Sequence, residues 1–192
     1  MARGRCYAYN LSVKNIVLGL ALLAVIVGGV YWYMQDGEEM SGMLYSSAVY
    51  GISFQYPESY ELQEREVGNG ERYHYSIVLI DKEALANIPQ NGEGPPTINV
   101  NIFQNNLDQR TVEQWVRSTN DSNFKLSPDG TPVPTTVADT PALSYIVDGL
   151  YRSNVVVFAH GDNIIMFNGQ WLAEGDQIRA DFGRVLASLE LH

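Results

Sequence analysis

Three histidines, His74, His160 and His192, are where acid–base or metal chemistry would first be sought in this chain. They are scattered. No H-x-x-x-H or H-E-x-x-H spacing places two imidazoles on one face of a helix. No G-x-S-x-G elbow presents a nucleophilic serine. Acids gather in two short runs, His160-Gly161-Asp162 and Glu174-Gly175-Asp176. A hydrolase would draw its site from His160, Asp162 and Glu174. A cation would need the regular D-x-D-x-D-G spacing of a calcium loop, which is missing, and a turn and a helix cap account for the same residues. Gly68-Asn69-Gly70 joins two strand-like runs instead of entering a helix, so it is no phosphate cradle. Trp115 and Trp171 stand at core spacing. These patterns predict no catalytic residue, no cofactor and no metal, and hence not an enzyme.

The element that positions everything else is the stretch from Ile16 to Tyr33, 18 residues without a charge. As a helix it is long enough to cross the hydrocarbon core of a bilayer. Ile16, Leu20, Leu23, Ile26, Val30 and Trp32 are its expected lipid contacts. Arg3, Arg5 and Lys14 precede it and Asp36, Glu38 and Glu39 follow it, which keeps residues 1–15 cytoplasmic and sends the rest outside. Tyr31-Trp32-Tyr33 suits the outer headgroup layer, where a cleavable signal would end in small residues, so an uncleaved signal anchor is expected. Cys6, the single cysteine, lies before this stretch and rules out a disulfide within the chain.

Outside the anchor, the 12 basic residues fall to 9 once Arg3, Arg5 and Lys14 are set aside, against 22 acidic ones, a formal charge of −13. Such a surface repels phosphate backbones and anionic headgroups, so nucleic acid is excluded as a partner. Residues 34–47 read as a flexible tether. The folded domain is expected over 48–192.

Within it, Tyr50–Tyr56, Tyr60–Val67 and Arg72–Ile80 alternate as strands, separated by turns at Pro57 and Gly68. Asp81–Pro96 reads as mostly loop. Thr97–Gln104 alternates Ile98, Val100 and Ile102 with Asn99 and Asn101, a strand with one wet face. Thr111 and Gln114 form a capping box for a helix whose stripe includes Val112, Trp115 and Val116. Residues 120–136 read as loop. Three strands follow over 142–150, 154–159 and 164–171, the last two joined by a tight turn at His160–Asn163. Asp176 opens a closing helix with Ile178, Phe182, Val185, Leu186 and Leu189 at helical spacing. The pattern predicts an α+β sandwich on an antiparallel sheet.

Tyr50-Gly51-Ile52-Ser53-Phe54-Gln55-Tyr56-Pro57, followed by Tyr60, resembles the opening of PsbP-like domains, the group named for the extrinsic photosystem II protein. Thr140-Pro141-Ala142 with Tyr145, the glycine-turned hairpin, and Phe182, Leu186 and Ser188 in the last helix follow in that family's order. Tyr60 stands where tryptophan is common, and Asp139 where glycine often precedes. The resemblance spans Ala48 to Leu191 and implies an α/β/α sandwich around a central antiparallel sheet, of the membrane-anchored bacterial type. It also implies a non-catalytic role and transfers no functional residue.

The expectation is therefore a single-pass, cell-membrane-anchored, extracytoplasmic binding or accessory domain. Its partners are the bilayer, through residues 16–33, and a membrane or envelope protein met through the face that carries Asn99 and Asn101 together with the Asp81–Pro96 loop. The alternatives are an extracytoplasmic hydrolase, or a small-ligand carrier with an apolar cavity between sheet and helices.

Overall fold

The computed structural model describes residues 42–68, 73–90 and 92–192. The expected cytoplasmic lead (1–15), the anchor (16–33) with its named lipid contacts, and residues 34–41 of the tether lie outside them. So do 69–72 and Asn91. Among the described residues no helix is long and apolar enough to cross a membrane.

The described residues form ten strands and three α-helices. In chain order they are β1 (Gly42–Ser47), β2 (Ile52–Pro57), β3 (Tyr60–Val67), β4 (His74–Asp81), α1 (Lys82–Ala86), β5 (Thr97–Gln104), α2 (Val112–Ser118) and a 3₁₀ turn, η1 (Phe124–Leu126). β6 (Val133–Val137), β7 (Thr140–Asp148), β8 (Arg152–His160), β9 (Asn163–Trp171), α3 (Gln177–Ala187) and β10 (Glu190–Leu191) complete the order. Seven strands pair antiparallel in the order β3-β4-β5-β9-β8-β7-β6, and β1, β2 and β10 form a separate three-stranded sheet.

The large sheet carries a core on each face. On one face Ile77, Leu79, Ile98, Val100, Val156, Phe158, Ile165 and Phe167 pack against Phe182 and Val185 of α3, against Leu189 just beyond it, and against the small sheet. Gly169 lets α3 come close, because a Cβ there would stand 2.5 Å from Cγ of Phe182. On the other face Phe103, Tyr145, Val155, Val157, Ile164 and Met166 pack against Trp115 and Val116 of α2.

The antiparallel sheet and the α+β arrangement are those that the periodicity predicts. Four local expectations change. Residues 42–47 are not tether: Tyr45 is buried and stacked on Phe54 at 5.0 Å, and β1 pairs with β2 along its length. Residues 81–96 include a helix, since the Asp81 carboxylate caps α1 by accepting from the N–H of Ala84 at 2.9 Å. Residues 133–137 form the edge strand β6, whose one buried side chain is Val137, too little alternation to read from sequence. Asp176 occupies the N-cap of α3, but its carboxylate accepts from the N–H groups of Leu172 and Ala173 that precede the helix.

The capping box holds as read. Thr111 Oγ1 accepts from the N–H of Gln114, and Gln114 Oε1 accepts from the N–H of Thr111. The two-residue turn between β6 and β7 is costly, because both Ala138 (φ 45°) and Asp139 (φ 59°) are left-handed. Combining Ala138→Asn with Asp139→Gly, which installs the asparagine-glycine pair that such turns favour, is expected to raise the unfolding free energy in urea by about 1 kcal/mol. An unchanged midpoint would refute the assigned turn geometry.

Candidate functional site

The candidate catalytic group does not assemble. His160 and Asp162 sit at the turn before β9, whereas Glu174 follows its other end. Eight strand steps, about 26 Å, separate the two ends. Glu174 is engaged by Arg179 and, at 3.8 Å, by Arg152. Those two guanidinium groups lie 4.4 and 4.9 Å from the ring centroid of Trp171, fastening the β9–α3 connection. His160 and His192 both flank Gly51, where the N–H of His192 donates to Gly51 O and its ring lies 2.9 Å from Ser53 Oγ. His74 is the first residue of β4, and its ring lies 4.6 Å from that of Phe103.

What the sheet does bring together is a set of carboxamides. Asn99 and Asn168 are direct partners across the β5–β9 pair, and Asn101 lies one alternation along from Asn99 on the same face. The face is not bare, and Asn99 and Asn101 are each half-buried. Asn99 Nδ2 donates to Thr97 Oγ1 at 2.8 Å, and the N–H and Oγ1 of Thr97 donate to Gln170 Oε1 at 3.1 and 3.0 Å. Asn168 Oδ1 is buried and has no hydrogen-bond partner among the described residues.

Beside this stripe the chain leaving α2 forms a wall. Ser122 is buried, with Oγ 2.7 Å from Val116 O and 2.9 Å from Thr119 O, while Tyr145 donates its phenol proton to Ser122 O. That anchorage fixes Asn120, Asp121 and Asn123. Together with His74, Asn101, Phe103, Met166 and Asn168 they enclose a cleft of about 260 Å³. A neighbouring cleft of about 560 Å³ shares Phe103, Asn120 and Asp121 with it and runs past Tyr73 and Trp115 to Asp108 and Arg110. A broader hollow over the outer face of α2 is lined by Arg110 and Arg117, each already paired, with Asp108 and with Glu113. It is helix surface.

Sequence reasoning found Asn99 and Asn101 but not Asn168, Asn120 or Asn123. Asn168 and Gln170 alternate at the end of an apolar strand, a readable sign of a polar face. Which strand lies opposite them is not readable.

Tyrosines set the titration behaviour. Burial pushes the Tyr45, Tyr60 and Tyr145 phenols well above their usual value of about 10, helped at Tyr60 by its hydrogen bond to Asp181 and at Tyr45 by Glu64. Tyr75 is pushed up to about 12, by burial and by its hydrogen bond to Glu64. The folded state therefore holds these protons more tightly than the unfolded chain. Their contribution is complete below about pH 10 and declines as pH rises beyond it. Urea midpoints should hold level from about pH 8 to 9.5 and fall from about pH 10 to 12. A flat profile to about pH 12 would show that these phenols are not buried in solution.

No family model matches the sequence, and no curated protein matches it. Among solved structures, the chain is similar to the solution structure of cyanobacterial PsbP (CyanoP) from Synechocystis sp. PCC 6803, with a TM-score of 0.50 and 16% identity over 82% of this chain and 96% of that one. It is also similar to a crystal structure from Bacteroides thetaiotaomicron VPI-5482, with a TM-score of 0.48 and 13% identity over 80% of this chain. The match spans 49% of that second protein. The first likeness makes the fold PsbP-like, and extends no further than fold.

Proposed function

We propose that this chain is a non-catalytic binding or accessory module of the membrane-anchored PsbP-like type, held at the cell membrane by residues 16–33 with its domain on the extracytoplasmic side. It docks onto a membrane or envelope protein through the sheet face that bears Asn99. The observation that carries this reading is the alignment of Asn99, Asn168 and Asn101 on one face. Three amides, with Thr97 and Gln170 beside them, make a fixed array of donors and acceptors of the kind that gives an interface its orientation. The separation of His160 and Asp162 from Glu174 removes the arrangement on which a hydrolase reading depends. Against a carrier with an apolar cavity under α3 speaks the close approach of Phe182 to Gly169 on that face.

The test is a photoreactive residue at Asn99 in the full-length chain, crosslinked in intact membranes, with Glu113 on the exposed side of α2 as the control position. The expected result is one dominant membrane or envelope protein captured from position 99 and not from 113, lost when Gln170→Lys alters the same face. No specific product from position 99, in a protein shown to be folded and exported, would overturn the docking face.

A further inference from the structure

The cleft beside the amide stripe shares Asn101 and Asn168 with the Asn99 face and adds the wall of Asn120, Asp121 and Asn123. Its one carboxylate is Asp121, with His74 also in the lining. Arg110 is paired with Asp108 at 2.9 Å, leaving Asp121 as the carboxylate nearest the amides. An anionic ligand would meet that carboxylate without a free counter-charge, and a cationic one would find a single acid among four amides. The residues that do line it, Asn101, Asn120, Asn123 and Asn168, carry groups that donate and accept side by side. Hydroxyls, which also donate and accept, match such groups best. Asn168 Oδ1, buried and without a partner among the described residues, has the one requirement of a donor pointed at it.

Shape agrees with this chemistry. Phe103 and Met166 give the smaller cleft an apolar floor, and Tyr73 stands partly exposed at the rim of the larger one. A pyranose ring offers an apolar C–H face to such surfaces and its hydroxyls to the amides at the edge. At about 260 and 560 Å³, and sharing three lining residues, the two clefts have room for several linked rings. An extended peptide is the weaker fit. β4, β5 and β9 are interior strands of the ladder, so their backbone groups are already paired and offer nothing for strand addition.

We propose that the Asn101–Asn168 cleft binds a neutral saccharide chain. This goes beyond the docking reading and does not depend on a protein partner. Full-length protein in lipid nanodiscs is titrated calorimetrically with chitotetraose and cellotetraose, neutral oligomers with different substituents, and with tetragalacturonate as an anionic counterpart of similar size. At least one neutral tetrasaccharide should bind saturably at submillimolar concentration, with tetragalacturonate weaker by about tenfold or more. Asn168→Leu should weaken binding about tenfold at an unchanged melting temperature. Asn101→Ser, at a half-buried position, gives the same reading should Asn168→Leu fail to fold. The proposal is overturned if neither neutral sugar binds at millimolar concentration, if tetragalacturonate binds as well, or if both variants bind normally. It is also overturned if an uncharged Gly-Ser octapeptide binds this cleft in the sugars' place. Crosslinking from position 99 in the same protein shows separately whether the docking surface stands.

Discussion

Truncating Phe54 to alanine is expected to lower the unfolding free energy by about 4 kcal/mol. Phe54 is fully buried at the junction of the two sheets. Its ring stacks on Tyr45 of β1 at 5.0 Å and meets Phe167 of β9 edge-on at 5.9 Å, and Phe167 in turn stacks on Phe158 at 6.1 Å. One side chain thus joins the small sheet to the centre of the large one. Its loss leaves a cavity that neither sheet can close without moving the other, which places the cost near the upper part of the range for such truncations. Phe54→Leu, which keeps most of the volume, should cost below about 1.5 kcal/mol. Urea unfolding of the two variants separates these values. Hydrogen exchange on β1 should accelerate more than on β8 in the alanine variant. A loss below about 2 kcal/mol would mean that the small sheet is not fastened through this ring.

Asp181→Ala is expected to cost about 3 kcal/mol. The carboxylate is almost wholly buried on α3 and collects three donors. Tyr60 Oη donates to Oδ2 at 2.8 Å, Gln177 Nε2 donates to Oδ1 at 3.2 Å, and the Arg184 guanidinium donates to the same oxygen. Alanine would strand the buried Tyr60 hydroxyl and leave Arg184 without its acid. Arg184 remains partly in water, which keeps the total below the largest values seen when buried ion pairs are broken. Asp181→Asn keeps an acceptor for Tyr60 and should cost about 1 kcal/mol. A double variant, Tyr60→Phe with Asp181→Leu, should recover part of the alanine penalty by removing donor and acceptor together. Equal midpoints for Asp181→Ala and the unmodified protein would show that the network adds nothing to stability.

Each of these two sites is half visible in the sequence. Phe54 reads as an inward position of an alternating strand, yet its neighbour Tyr45 lies in a run that resembles a tether, because Met43, Leu44 and Tyr45 follow one another without alternation. Phe182 and Val185 read as the core stripe of a closing helix, but Asp181, just before Phe182, reads as an ordinary charged residue. Its long-range donor, Tyr60, lies 121 positions earlier.

The sequence by itself determined what depends on neighbours a few residues apart. Strand alternation in β2 to β5 and β7 to β9, the Thr111–Gln114 capping box and the amphipathic stripe of α3 all follow from side-chain spacing along a local backbone. The tertiary structure alone decided which strands adjoin. A strand's period says which residues share a face and nothing about the partner strand or its register, because ladder hydrogen bonds are made by backbone groups common to all residues. That register sets Asn168 opposite Asn99, and the packing of α3 on the sheet brings Tyr60 to Asp181.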